Sequence, residues 1–182
     1  MKRPYSIAIA AVSGGGKTTT IQLLNEELPK STALFFDDYK FEGPDDLIEW
    51  VHQGADYNTW KLTPLIKDLK IKLENKDVQN DYIFLDYPFA YLNKEMNEFI
   101  DLTIFIDTPL DVAMARRILR DYNDSNAEGI RLNMQSYLSG AREAYLAMLN
   151  TVRPDSDVII DGTQGKEEII ESIKQIIKNH LK

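Results

Sequence analysis

Cysteine is missing from the 182-residue chain, which excludes disulfides and thiolate metal sites and leaves the compartment open on redox grounds. Histidine is almost missing as well: His52 and His180 are too few and too scattered for a metal centre. No uninterrupted apolar run approaches the ~18 residues of a membrane span. The run after Met1-Lys2-Arg3-Pro4 is short and ends in glycines, so a first strand is expected there and not a signal peptide. Positive charge is in deficit, with Lys+Arg 21 against Asp+Glu 29 and a formal net charge of -8. A phosphate-backbone partner needs a basic stripe, and none is found, so nucleic-acid binding is not expected. Internal repeats are absent too. What remains is 43% hydrophobic and 27% charged residues of both signs, an ordinary composition for a globular fold. The expectation is one domain over 1–182, cytoplasmic, with a core of useful size; homo-oligomeric association stays open.

Against this background one stretch stands out. Ala11-Val12-Ser13-Gly14-Gly15-Gly16-Lys17-Thr18 lies between the apolar run Tyr5 to Ala11 and a helical pattern beginning near Thr18. A strand, glycines that let backbone N–H groups face phosphate oxygens, and a helix N-terminus aimed at the same point make a phosphate-binding loop. Ser13, Gly14, Gly15, Gly16, Lys17, Thr18 and Thr19 are the expected phosphate contacts. Lys17 would reach the β- and γ-phosphates, and the Thr18 hydroxyl would bind Mg²⁺. Ala11 stands where the first glycine of the pattern is usual, a minor departure because it stays small.

Beyond the loop, Ile21, Leu24 and Leu28 give one apolar face to a helix over Thr18 to Leu28, which Pro29 ends. Thr32 to Phe36 is expected to be a second parallel strand closed by Asp37-Asp38-Tyr39-Lys40. Ligands of open α/β sheets bind outside the carboxyl ends of the strands, which brings Asp37 and Asp38 to the phosphate loop's edge; a simple turn cap is the competing account of each. From about 41 to 60 the composition shifts to a substrate flap: a turn, a short helix Leu47 to Gln53 with Leu47, Ile48 and Val51 inward and Asp45 as its cap, then a loop. Trp50 suits packing, whereas Tyr57 and Trp60 suit packing or stacking on a flat substrate equally. Leu62 to Lys76 returns to helical spacing.

Asp81 to Asp86 is a third strand, apolar enough to be buried on both faces, and its terminal Asp86 is the candidate for holding the Mg²⁺ shell, with a turn aspartate as the alternative. Asn93 to Ile100 should be a short helix, Leu102 to Asp107 a fourth strand, and Thr108-Pro109 the opening of the next helix. There Val112, Ala115, Leu119 and Tyr122 form the expected apolar stripe, with Arg116, Arg117 and Arg120 beside it as a candidate anion cluster. For Arg117 an ion pair to Asp121 is an equal reading. Asp121 to Gly129 is expected to be a mobile polar loop, within a lid at about 116–130. A long helix from Ile130 to Val152 comes next, with Leu138, Ala141, Tyr145, Met148 and Val152 on one side. A fifth strand, Val158 to Asp161, ends at Gly162-Thr163, and a last helix runs from Glu167 to Leu181. Five strands alternating with helices make an α/β fold with a parallel sheet covered on both faces.

These motifs together resemble the uridine kinase-like branch of phosphate-loop kinases, which includes phosphoribulokinase and bacterial pantothenate kinase. The resemblance rests on Ile7 to Thr19, on Asp37-Asp38-Tyr39-Lys40 with Pro44-Asp45 after it, and on Ile104-Phe105-Ile106-Asp107 leading into Arg116-Arg117-Ile118-Leu119-Arg120-Asp121. It implies a three-layer fold with strand order 2-3-1-4-5 and a helical lid, ATP and Mg²⁺ as cofactors, and a small-molecule hydroxyl acceptor. By this likeness Asp37 is the base, Arg116, Arg117 and Arg120 form the lid over ATP, Gly162 lies near adenine, and Asp38, Tyr39, Tyr57 and Trp60 stand by the acceptor. The lid departs from the family in Tyr122-Asn123-Asp124-Ser125-Asn126-Ala127-Glu128, where a second arginine run is usual. Two activities are therefore in view: an ATP-dependent small-molecule kinase, with Lys17, Asp37, Arg116 and Arg120 catalytic, and a regulatory ATPase without an acceptor. A GTPase is the weaker reading, for want of an Asn-Lys-x-Asp signature.

Overall fold

The computed structural model describes residues 3–75, 80–123 and 127–180. In chain order it contains β1 (Tyr5–Ala10), α1 (Lys17–Glu27), β2 (Ser31–Phe35), a 3₁₀ turn at Phe36–Asp38, α2 (Leu47–His52), a second 3₁₀ turn at Tyr57–Thr59 and α3 (Thr63–Glu74). Then come β3 (Tyr82–Asp86), α4 (Lys94–Asn97), β4 (Leu102–Asp107), α5 (Leu110–Asp121), α6 (Ala127–Ser136), α7 (Arg142–Ala147), α8 (Arg153–Asp155), β5 (Val158–Asp161) and α9 (Lys166–His180). The sheet is parallel throughout, in the order β2-β3-β1-β4-β5, as expected.

Side chains alternate across each strand with the period of two that a pleat imposes. Ile7 and Ile9 of β1, Phe84 of β3 and Ile104 and Ile106 of β4 face α1 and α9 through Ile21, Leu24, Ile169, Ile170 and Ile173. Ala8 and Ala10, with Ile83, Leu85 and Phe105, face the opposite layer, where Leu65, Leu69 and Val152 pack. Strands buried on both sides explain the nearly continuous apolar runs. The register is what assembles the site: Phe35, Asp86 and Ile9 lie side by side across β2, β3 and β1. Three carboxyl ends therefore stop in one row, and the segments that leave them open on the same edge.

Several expectations are corrected. Asp46, not Asp45, caps α2, its Oδ1 accepting from the Ile48 and Glu49 N–H groups at 2.8 and 3.1 Å. Leu47 and Ile48 are exposed, because α2 lies over the cavity mouth and not in the core. The inward stripe of α5 is Ala113, Met114 and the half-buried Ile118, while Ala115 and Leu119 face outward. The buried face is a different one from that expected, and Arg117 lies half-buried on it. The long helix expected to end at Val152 is interrupted: wide turns at Tyr137–Ala141 and Met148–Val152 flank α7, and Gly140 leaves helical geometry. Tyr137 is buried there and Leu138 exposed. A side chain at residue 140 would meet Ile48 of α2 at 2.5 Å, so the break is where the flap helix rests. Lys76, Leu181 and positions 124–126 of the expected mobile loop lie outside the described residues; from Ala127 the chain is helical. No helix among the described residues is long and apolar enough to cross a membrane.

Candidate functional site

A cavity of about 750 Å³ opens along the carboxyl edge of the sheet and has two unlike halves. One is the loop after β1. Gly14 and Gly16 adopt φ of 83° and 101°, and a Cβ on residue 14 would overlap the Ala113 carbonyl oxygen, so glycine is required there. Ala11 is tolerated for a related reason: a Cβ at residue 15 would sit 2.8 Å from the Ala11 Cβ, and Gly15 has none. The loop closes on itself through the Gly15 N–H to the Val12 carbonyl (2.8 Å) and is held from the β4 side by buried Thr108, whose hydroxyl donates to the Gly15 carbonyl at 3.0 Å. The sequence marks Thr108 only as the opening of a helix.

At the head of α1, Thr18 Oγ1 donates to Asp86 Oδ2 at 2.6 Å, and Lys17 forms an ion pair with the other carboxylate oxygen. Asp86 is buried, so these two partners are what keep its charge tolerable. Burial draws the Lys17 ammonium down to about 8, opposed by the attraction of Asp37 and reinforced by the repulsion of Arg120. A hydroxyl and a buried carboxylate side by side are the hard oxygen donors that Mg²⁺ prefers, so Thr18 and Asp86 fit the ion the sequence implies. Among the described residues no cluster of three or more His, Cys, Asp or Glu forms a separate metal site.

The second half is aromatic. Phe36, Trp50, Tyr57, Trp60 and Phe89 line it, with ring centroids 5.1 Å apart for Trp50 and Tyr57 and 5.4 Å for Trp60 and Phe89. Tyr57 is buried and its hydroxyl bonds Thr151 at 2.8 Å, whereas the Trp60 indole N–H is buried with no partner among the described residues. Asp37 lines the boundary between the halves, exposed on the 3₁₀ turn after β2, near enough to Lys17 and Arg120 to act on both charges. Lys17, Arg116 and Arg120 give the phosphate half its positive charge, and among the described residues that line the cavity Asp37 is the one carboxylate.

The other expected residues are dispersed. Ser13 and Thr19 are exposed on the cavity wall. Asp38 is exposed and does not line the cavity, and Tyr39 turns its hydroxyl to Asp68 of α3 at 3.0 Å. Burial and that carboxylate push the Tyr39 phenol up. Of the three arginines, Arg116 and Arg120 line the cavity: Arg116 donates to the Gly162 carbonyl at 3.2 Å, and Arg120 forks onto Asp121 at 2.6 and 3.1 Å. Arg117 instead donates to the Tyr145 hydroxyl at 2.9 Å and pairs with Asp121 at 3.6 Å, joining α5 to α7. Phe36, Phe89 and Met148 carry no signal in the sequence, because only the folded chain brings them to the cavity.

This geometry agrees with what the chain is similar to. The Phosphoribulokinase / Uridine kinase family matches residues 55–167, a span that begins after the phosphate loop and so adds to it independently. A uridine kinase of Chlamydia pneumoniae is 26% identical, the match covering 96% of this chain and 89% of that one. A uridine kinase of Ureaplasma parvum serovar 3 is 31% identical over 69% of this chain and 72% of its own. Among solved structures, a sugar kinase from a Janibacter species superposes with a TM-score of 0.56 at 18% identity, covering 93% and 92% of the two chains, a likeness of fold. With a phosphate loop on a parallel 2-3-1-4-5 sheet and a family match over more than half of its length, the chain belongs to the phosphoribulokinase and uridine kinase family.

Proposed function

We propose that the protein transfers the γ-phosphoryl group of ATP to a hydroxyl of a small, nucleoside-like acceptor. One observation carries the reading: Asp37 stands where the cationic half and the aromatic half of a single cavity meet. The base must reach the acceptor hydroxyl while that oxygen faces the phosphoryl group it will attack, and among the described residues of the cavity wall Asp37 is the carboxylate so placed. The acceptor lies against the aromatic half, whose flat faces suit a ring and whose walls offer an anionic acceptor no counter-charge. Asp37 takes the hydroxyl proton as that oxygen bonds to the γ-phosphorus and the bond to the β–γ bridging oxygen breaks, leaving ADP. Backbone N–H groups of the loop hold the phosphates. Lys17 moves from Asp86 to the phosphate oxygens, and Arg116 and Arg120 offset the charge on the transferring group. Thr18 and Asp86 are the residues that would hold Mg²⁺, which would neutralise part of the charge on the phosphates.

The relatives named uridine kinase make uridine the first acceptor to try. Incubation with γ-labelled ATP and uridine, and in parallel with a metabolite extract read by mass spectrometry, tests the proposal. A metabolite that gains one phosphoryl group is the expected product. Label found only in free phosphate would support a regulatory ATPase instead.

A further inference from the structure

The aromatic half rests on a short turn that is fastened from outside as well as by its own bonds. Between Ala55 and Leu62 the chain makes a single 3₁₀ turn, yet Ala55, Tyr57 and Leu62 are all buried and Tyr57 and Trp60 line the cavity. Within the turn the Trp60 N–H reaches the Tyr57 carbonyl only at 3.4 Å, so the Tyr57 and Trp60 carbonyls have room for closer donors. They find them in Asn93, only 2% exposed, whose Nδ2 donates to the Tyr57 carbonyl at 2.9 Å and to the Trp60 carbonyl at 3.1 Å. The Asn93 Oδ1 meanwhile accepts from the Met96 N–H at 3.2 Å and caps α4. The exchange is reciprocal, because Asn58 in the turn accepts the Lys94 N–H on its Oδ1 at 2.9 Å. Two asparagines thus clasp the turn to the head of a helix some thirty-five residues further on, as the 36-residue separation of the Asn93 and Tyr57 bond records.

A buried amide is costly unless every group on it is satisfied, and an apolar residue could fill the same space without that cost. Here both amide hydrogens are spent on the backbone of the two residues whose rings line the acceptor half. Phe89 packs on both rings, at 5.1 and 5.4 Å, so the rings follow the turn. We propose that Asn93 is a positioning residue for the acceptor: by holding the Tyr57 and Trp60 carbonyls it fixes the aromatic wall against which the acceptor binds. It touches no reacting atom and acts through Tyr57 and Trp60. The inference rests on the acceptor occupying the aromatic half, as proposed above.

The test uses the fact that the chain has only two tryptophans, Trp50 and Trp60, both in this wall. Asn93→Asp keeps an oxygen that can cap α4 and replaces the donor group with a carboxylate oxygen that repels the two carbonyls; Asn58→Ala loosens the same clasp from its more exposed side, without adding a charge. In each purified variant three quantities are measured: acrylamide quenching of tryptophan fluorescence, affinity for a fluorescent ATP analogue, and KM for uridine in the transfer assay. For Asn93→Asp quenching should rise about threefold, as a turn that opens locally predicts. KM for uridine should rise about tenfold while ATP affinity stays within about twofold, the signature of lost acceptor binding alone. Asn58→Ala should shift quenching the same way by less. Wild-type quenching in a folded Asn93→Asp protein, or equal losses for ATP and uridine, would overturn the positioning role. If Asn93→Asp does not fold, unchanged quenching in Asn58→Ala overturns it and raised quenching supports it. If the wild-type protein phosphorylates nothing, the kinase reading fails while the quenching arm still decides the clasp.

Discussion

The phosphate half of the cavity is built mainly on one continuous stretch, 11–20, with Asp86, Arg116 and Arg120 brought to it, whereas the acceptor half is gathered entirely from scattered residues, at 36, 50, 57–60 and 89. The first works through backbone: glycines without Cβ atoms, N–H groups and a helix start, with Lys17, Thr18 and Asp86 locked together at its floor. The second works through side chains, mostly rings held in place by bonds to distant backbone. A backbone device must keep its local sequence to exist at all. A wall of rings can be assembled from many places, so it leaves little trace in any one of them.

The sharpest way to break the contrast is at Lys17. Lys17→Ala removes the loop's mobile cation and leaves Asp86 buried beside Thr18 alone, so transfer should fall about a thousandfold, measured as kcat/KM, with weaker ATP binding. A merely tenfold loss would mean that the arginines carry the phosphate half. Asp37→Asn comes next, with an expected drop of roughly a hundredfold in kcat and nucleotide affinity nearly unchanged. Equal losses in both would make Asp37 a phosphate-half residue and dissolve the boundary between the halves.

Trp60→Ala tests the other side, with KM for the acceptor raised about tenfold and ATP affinity kept. The mildest effect concerns pH. Burial lowers Lys17 to about 8, so its charge, and with it the affinity for ATP, should be full well below pH 8, halved near it and lost as pH rises further. Titration of ATP affinity in wild type, with Lys17→Arg as a control that keeps its charge, reads this directly. Stability should move in the opposite sense. The unfolded chain holds that proton more tightly between pH 8 and the ordinary lysine value of 10.5, so the fold gains as pH rises through that window.

Much of the first half is legible in the sequence alone, and little of the second. The phosphate loop and the five strands rest on a local motif and on apolar runs that survive folding, while the order of the strands follows only from the family resemblance. Asp86 is legible because a buried strand ending in a carboxylate needs a reason for the charge. The expected stripe of α5 is on the wrong face because Ala115 and Leu119 fit a helical period as well as Met114 and Ile118 do; only the partners, Tyr137 and Tyr145, decide between them. The continuous helix expected through Gly140 fails because Ile48, ninety residues away in sequence, needs the room that a glycine leaves. Thr108 and Asn93 are hidden for the same reason, since each acts on backbone far from itself. Arg117 shows the limit of a cluster: three arginines in five residues read as one group in the sequence, and the helix sends two to the cavity and one to Tyr145.

The most direct test of the account is phosphoryl transfer itself, followed with γ-labelled ATP in wild type and in Asp37→Asn, with uridine and with a metabolite extract as acceptors. The account predicts label in an organic phosphate made by wild type and lost in the variant, with ATP bound equally by both. Label only in inorganic phosphate, at the same rate in both proteins, would contradict it.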